Sequence, residues 1–446
     1  MHINILFLFI LICIMNISYI YALNFKTNKV THNYNLHHKT KHNNRILNEE
    51  NSRNNIILNS TQDNLYYFNI EIGTPGQSFS VLLDTGSNFF LVNNENCKGC
   101  IPNNKYMSDK SQTYNYTSKS ININYISGDL TGFICSDFIK FTNNKNLLNL
   151  DFVLVNDSNI NFGLDGIFGL SKNIKDINNN ELSPINQLFE KNISNNNIFV
   201  LDFPNNNFFI GEKPSYLDLY YNISCKRKSI YNLNDYYWKC ISKKIKLNSI
   251  SFNSSENNII FNSGINSMVF SLNYKDFFKN IISNNKLLSD AKCEIKLSQE
   301  NEYIYIIICY NFDNLINKES DTYINFYKED FMLIYLDDRK NRISFKLEDF
   351  YDKDLKSFKL YFTDLPDNTI ITGIPLFEKY IIMLDNDNKE IVIYNPKKEI
   401  QCREGFNINI LKLSIIIVIV SITLIIIYYV YNKKNHISLY KLIYQK

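Results

Sequence analysis

The sequence predicts a body built from β-strands, and two stretches and one bound carry that prediction. In the first stretch, the apolar run Val81-Leu82-Leu83 leads into Asp84, and Thr85-Gly86-Ser87 then turns the chain sharply. A strand thus delivers a carboxylate to its own end. Glycine lets the backbone fold back beside it, and the two hydroxyls can hydrogen-bond the acid and orient it. In the second stretch, Tyr67 to Phe79 reads as strand, Gly73-Thr74-Pro75-Gly76 turn, strand. The bound is size: 446 residues are enough for two β-lobes with their own cores, plus extra segments.

Composition excludes several kinds of function. The formal net charge is +3 and the basic residues are dispersed, so no surface for nucleic acid is expected. The six histidines stand at 2, 32, 37, 38, 42 and 436, and residues 43–435 contain none. That removes Ser–His and Cys–His nucleophile pairs and His-ligated zinc from the body. If the body is an enzyme, carboxylates are its general acid and base. No metal or cofactor is expected.

The stretch Ile70-Glu71-Ile72-Gly73-Thr74-Pro75-Gly76-Gln77-Ser78-Phe79-Ser80-Val81, continued into Asp84-Thr85-Gly86-Ser87, resembles the first catalytic hairpin of the pepsin-like aspartic peptidases. The Asn-rich low-complexity loops are similar to those of the plasmepsin-like branch. The resemblance implies an all-β, bilobed fold with one aspartate from each lobe. The two carboxylates would share a proton and hold the attacking water.

Before the lobes, residues 1–22 read as a signal peptide, with an apolar core from Ile5 to Met15 and Ala22 before the cut; an N-terminal membrane anchor is the alternative. Either delivers the rest to the secretory pathway. Residues 23–62 are polar and carry four of the histidines. They are expected to be a pro-segment over the cleft, detaching in acid, or a disordered tail.

The N-lobe is placed at 63–213. Ile123 to Gly132 reads as strand, Gly turn, strand, and resembles the family's substrate-binding flap, with Tyr125, Ser127 and Gly128 at its tip. Phe162 to Leu170 is similar to the strand that backs the catalytic loop, which makes Asp165 structural. Leu91 stands where the family often has Trp. Asn-rich loops are expected over 172–180 and 192–207, and Phe208 to Glu212 resembles the strand that ends the lobe.

The C-lobe is placed at 214–400, with Tyr236-Tyr237-Trp238 ahead of a second loop. That loop, Ile259-Ile260-Phe261-Asn262-Ser263-Gly264-Ile265, has the family's shape but not its chemistry. Asn262 stands where the second Asp is expected, and Ile265 replaces the hydroxyl residue that would brace it. Thr369 to Phe377 resembles the strand behind this loop, with Gly373-Ile374 in place of Gly-Asp. Leu384 to Ile393 is similar to the closing hairpin.

Leu413 to Tyr431 is an uncharged apolar run that would span roughly 28 Å as a helix, enough for a bilayer core, with Lys433 and Lys434 behind it. A buried core helix is the alternative. The anchor reading makes 432–446 a cytosolic tail and puts the lobes in the lumen or at the cell surface. Eight cysteines follow the signal, an even number that fits an oxidising compartment. The family analogy pairs Cys97 with Cys100, Cys225 with Cys240 and Cys293 with Cys309. Glycosylation sequons stand at Asn59, Asn115, Asn156, Asn192, Asn222 and Asn253.

Two functions follow. One is a peptidase homologue that has lost catalysis and binds a peptide or protein in the interlobe cleft. The other is a working endopeptidase in which Asn262 has been deamidated or another group gives the proton.

Overall fold

Alternation builds the first sheet. The computed structural model describes residues 55–399 apart from 101–103, 126–127, 142–146, 161–162, 172–181, 192–195, 227–236, 248–249, 253–255, 285–291, 299–303, 311–329, 337–340, 353–356 and 367. The N-terminal strands are β1 (Asn55–Ile57), β2 (Asn59–Ser60), β3 (Tyr66–Ile72), β4 (Gln77–Asp84), β5 (Phe90–Lys98), β6 (Asn115–Tyr125), β7 (Gly128–Phe141), β8 (Leu148–Ser158) and β9 (Gly166–Gly169). In β3, Tyr66, Phe68, Ile70 and Ile72 are buried and the residues between them are more exposed, as expected of a strand with one face on a core. Eight strands form one sheet in the order β2-β3-β4-β9-β5-β8-β7-β6. β4 lies inside it, so alternation ends there and Val81, Leu82 and Leu83 are all buried.

Three strands, β10 (Ile198–Asp202), β11 (Asn207–Ile210) and β12 (Tyr220–Lys226), lead to the second half. There, β13 (Lys239–Ser242), β14 (Lys244–Leu247), β15 (Ile250–Phe252), β16 (Asn257–Ile260), β17 (Val269–Ser271), β18 (Lys292–Leu297), β19 (Tyr305–Tyr310), β20 (Met332–Tyr335), β21 (Arg342–Phe345), β22 (Tyr351–Asp352), β23 (Ser357–Thr363) and β24 (Thr369–Ile371) follow. They form an eight-stranded sheet, β13-β16-β24-β17-β23-β19-β18 with β22 beside β23, and a four-stranded sheet, β15-β14-β20-β21. The hairpin β25 (Ile381–Asp385) and β26 (Glu390–Glu399) closes the body. A third large sheet, β1-β11-β10-β25-β26-β12, takes strands from both sides of residue 213. The described helices are short: α1 (Pro184–Glu190), α2 (Lys275–Asn284) and α3 (Gly373–Phe377). The fold is mostly β, as expected.

Two expectations are corrected. The segment 23–62 is not wholly a disordered tail, because β1 and β2 pair with strands of the folded body. Asn55, Ile56 and Leu58 are buried, β1 pairs with β11, and Asn55 Nδ2 donates to Asn207 Oδ1 at 3.1 Å. The span 192–207 is not all loop, because Ile198-Phe199-Val200-Leu201 forms β10 in the interior of the six-stranded sheet. In both places a short apolar run is flanked by asparagines, and composition hides it.

The disulfides Cys97–Cys100, Cys225–Cys240 and Cys293–Cys309 are formed. Cys135 is a free, buried thiol 3.1 Å from the Tyr114 hydroxyl, and burial pushes its pKa up to about 11. Asp165 accepts from the Ser80 and Asn104 backbone N–H groups (2.8 and 3.0 Å), a structural use of the acid. Asn59, Asn115 and Asn222 are exposed, and Asn156 is half-buried and bonded to Asn94. The signal 1–22, Ser127, Tyr236, Asn192, Asn253, Cys402, the run 413–431 and the tail 432–446 lie outside the described residues. Among the described residues no helix is long and apolar enough to cross a membrane.

Asp202, at the end of β10, is buried and accepts from Asn205 and from the Tyr216 hydroxyl. Burial outweighs these donors and raises its pKa from 3.8 to about 6. The folded state therefore keeps a proton that the unfolded chain has lost, and stability falls as pH rises through that window. The gap corresponds to roughly 3 kcal/mol. Urea titrations at pH 4.5 and 7 should show Asp202→Asn losing less stability than the parent over this interval, by about 2 kcal/mol, the part of that gap that falls between these pH values.

Candidate active site

Two strand ends meet at the centre of the body. β4 delivers Asp84, and β16 runs through Phe261 to Asn262. Each strand has a parallel neighbour behind it: β9 pairs Phe168 with Leu83 and Gly169 with Asp84, and β24 pairs Ile370 with Ile259 and Ile371 with Ile260. The two loops are therefore held in the same way.

They are also crossed. Thr85 N–H donates to Ser263 Oγ (3.0 Å), and Ser263 N–H donates to Thr85 Oγ1 (2.9 Å). The Thr85 hydroxyl donates to the Phe261 carbonyl (2.8 Å), and the Ser263 hydroxyl to the Leu83 carbonyl (2.6 Å). Each hydroxyl accepts from the opposite loop and donates to the opposite strand, and both are fully buried. Four bonds away from water fix the loops to one another.

The functional side chains repeat the pattern. Gly86 N–H donates to Asp84 Oδ1 (2.7 Å), and Gly264 N–H donates to Asn262 Oδ1 (2.8 Å). The second bond assigns the amide: oxygen faces Gly264, so nitrogen turns away from it. A Cβ on Gly86 would lie 2.3 Å from Asn262 Nδ2, and one on Gly264 would lie 2.3 Å from Asp84 Oδ1. Each side chain thus lies over the other loop's glycine, and only glycine leaves that room.

Residues the sequence reading did not assign to the site brace it from behind. Leu170 N–H donates to the Asp84 carbonyl (2.7 Å) and the Ser171 hydroxyl to the Thr85 carbonyl (2.6 Å). The Trp238 indole N–H donates to the Leu170 carbonyl (2.7 Å), and Phe261 N–H donates to the Trp238 carbonyl (2.9 Å). Trp238 therefore links the two loops by a second route. Its being the one tryptophan, just ahead of the second loop, was the available signal.

Asp84 is 8 % exposed. Burial raises its pKa above the usual carboxylate range, against the Gly86 N–H, the Ser87 hydroxyl and the Gly264 N–H, which all favour the ionised form. Ser87 Oγ, itself buried, does this without ordinary hydrogen-bond geometry. None of these groups is an acid. A lone carboxylate facing an amide lacks the like-charge repulsion of a pair of acids, but desolvation pushes it upward without a second charge.

The β6–β7 hairpin pairs Tyr125 with Gly128 at its end. Ile123, Leu130 and Tyr125 pack in an apolar cluster with Leu82, Phe89 and Leu91, so the hairpin rests on the strand that carries Asp84. Leu91 places an aliphatic side chain in this cluster. Gly128 has φ +143°, and a Cβ there would meet Asn159 Oδ1 at 2.1 Å, while Asp129 N–H donates to the same oxygen at 2.7 Å. Among the described residues no group of three or more His, Cys, Asp or Glu is placed to hold a metal.

Residues 65–332, more than half of the chain, match the eukaryotic aspartyl protease family, and the chain belongs to it. It is 33 % identical to vacuolar protease A of Aspergillus fumigatus over 133 residues, which is 28 % of this chain and 33 % of that protein. It is 41 % identical to cathepsin D of Homo sapiens over 88 residues, 19 % of this chain and 21 % of that one. With plasmepsin I of Plasmodium falciparum the identity is 32 % over 143 residues, 30 % and 31 % of the two chains. The matched segments span a third or less of these relatives' lengths.

Ser263→Ala removes a hydroxyl that serves two partners and leaves Thr85 N–H and the Leu83 carbonyl buried and unbonded. Each orphaned group costs about 1–3 kcal/mol. Thermal melts should place this variant well below the parent. Ser267→Ala, by contrast, at a half-buried serine whose hydroxyl donates to the neighbouring Asn266 Oδ1 (3.0 Å), should melt with the parent.

Proposed function

We propose that this chain is a pepsin-like aspartic peptidase homologue with impaired catalysis, held at a membrane, that binds a peptide or a partner protein in the cleft between its lobes. The observation that carries this is Asn262 opposite Asp84 in an otherwise well-braced pair of loops. Peptide hydrolysis needs one group to take a proton from water and another to give one to the carbonyl. Two close carboxyls do both, because they cannot both ionise and so share a proton. An amide donates a hydrogen bond but releases no proton. Losing one acid–base partner costs about 10²–10⁴-fold, and partners that act as a unit lose more.

The location rests on sequence. A cleaved signal at 1–22 and an apolar run at 413–431 followed by Lys433 and Lys434 give a single-pass protein with its lobes in the lumen or outside the cell. The three disulfides and the exposed sequons accord with an oxidising compartment. One relative is named a vacuolar protease, which agrees with that route.

The second reading is an active endopeptidase, and the intact Asp84 loop favours it. Deamidation of Asn262 would restore the second acid. It requires the Ser263 nitrogen to attack the Asn262 side chain, but that N–H is held by Thr85 Oγ1 and the Asn262 oxygen by Gly264. The folded loop opposes this route.

The full chain, Asn262→Asp and Asp84→Ala should be assayed on a quenched peptide library from pH 4 to 7. The parent should cleave at background, and Asn262→Asp should gain about 10²-fold or more. Cleavage by the parent that Asp84→Ala abolishes would establish the second reading instead. Peptide mass spectrometry across residue 262 should find asparagine.

A further inference from the structure

The eight-stranded sheet of the second half ends on β18, and among the described residues no strand pairs with its outer edge. Its sequence is Lys292-Cys293-Glu294-Ile295-Lys296-Leu297. Alternation puts Lys292, Glu294 and Lys296 on one face and Ile295 and Leu297 on the other. On the neighbouring β19, Ile307 faces Ile295 and is buried, whereas Ile295 and Leu297 are 39 % and 48 % exposed. The apolar face of the sheet thus runs on past the core that covers it. On the other face all three charged side chains are exposed. Lys296 Nζ lies 3.4 Å from Glu294 Oε1, and the Tyr310 hydroxyl donates to the same oxygen at 3.0 Å.

The ladder fixes which backbone groups point outward. Ser298 N–H donates to the Ile304 carbonyl at 2.7 Å, and in an antiparallel pair the bonds to one neighbour recur at every second residue. Residues 292, 294 and 296 therefore turn their N–H and C=O toward β19, and Ile295 and Leu297 turn theirs away from it. Sheet edges are commonly guarded by lysines or bulges. At the β6 edge of the N-terminal sheet the register shifts between Tyr116 and Ser120, and Ser118 has φ +57°. β18 keeps an unbroken register with β19 along its whole length, and Glu294 stands between its two lysines.

We infer that β18 pairs antiparallel with β18 of a second copy of this chain, about a twofold axis through Ile295. In that register Ile295 faces its own copy, and the two residues exchange both outward backbone bonds. Glu294 falls opposite Lys296 of the second copy and Lys296 opposite its Glu294, so the charged face is complementary to itself. An axis at Glu294 would set glutamate against glutamate and Lys292 against Lys296. An axis between two residues would set charged side chains opposite apolar ones. The charge order therefore selects both the partner and the register. Asp84 and Asn262 take no part in it.

The test is sedimentation equilibrium of the full chain in a density-matched detergent. A single strand pair makes a small interface, so the dimer should dissociate at about 10–100 µM. Glu294→Lys and Lys296→Glu each set like charges opposite one another on both sides of the axis. Each should weaken the dimer roughly tenfold or more while melting with the parent. The double variant Glu294→Lys/Lys296→Glu should dimerise like the parent, because the opposed charges are merely exchanged. An equimolar mixture of the two single variants should also associate, since all-lysine then meets all-glutamate at positions 294 and 296. A parent that stays monomeric over this range overturns the inference. So does a dimer that neither single variant weakens, or a weakening that neither the double variant nor the mixture reverses.

Discussion

The crossed hydrogen bonds between Thr85 and Ser263 are the constraint on which the rest depends. Loops of this kind are normally mobile and exposed. Here two of them, 178 residues apart in sequence, share four buried bonds in a symmetric exchange. The position of Asp84 relative to Asn262 is set by that exchange and by the parallel strands behind it. Nothing in the exchange uses the side chain at 262. Geometry and acid–base chemistry are therefore separable in this fold, and a chain can keep one while losing the other.

The two departures in the second loop are physically linked. Gly264 N–H needs an acceptor, and Asn262 supplies the same oxygen in the same place as an aspartate would. A shorter apolar residue would leave that donor unbonded at a cost of about 1–3 kcal/mol. In the first loop, the Ser87 hydroxyl stabilises the charge of Asp84. With no charge at 262, a hydroxyl at 265 has nothing equivalent to stabilise, and Ile265 takes part through its carbonyl, which accepts from Ile374 N–H at 2.9 Å. Ile374, where the family has an acid, is buried in the main core.

Much of this was legible in the residues, for identifiable reasons. Ile70 to Ser87 encodes strand, turn, strand and acid in consecutive positions, so local rules suffice. The second loop was found because an apolar run and Ser-Gly preserve its shape when its acid is gone. The disulfide pairs required the family analogy, since pairing is a property of distance in space. What escaped was non-local or masked by composition. β1 and β10 are short apolar runs between asparagines; β1 pairs with a strand about 150 residues on, and β10, beside its neighbour β11, is covered on its other edge by β25, more than 180 residues on. The brace through Leu170 and Trp238 joins segments 68 residues apart by one indole N–H.

The ionisation of Asp84 shows most clearly how sequence logic and structure divide. From sequence, replacing its partner by an amide removes the repulsion that raises the pKa of one acid in a pair, so the survivor should titrate low. The structure adds a larger opposing effect, because the carboxyl is almost wholly withdrawn from water. The Gly86 N–H bonded to it, with the nearby Ser87 hydroxyl and Gly264 N–H, pulls it back without overcoming burial. The same fold that makes a proton-sharing pair possible therefore keeps a single acid weak. Asp84 is held where a small change in the hydrogen bonds around it bears directly on its charge, and that coupling does not need a second acid.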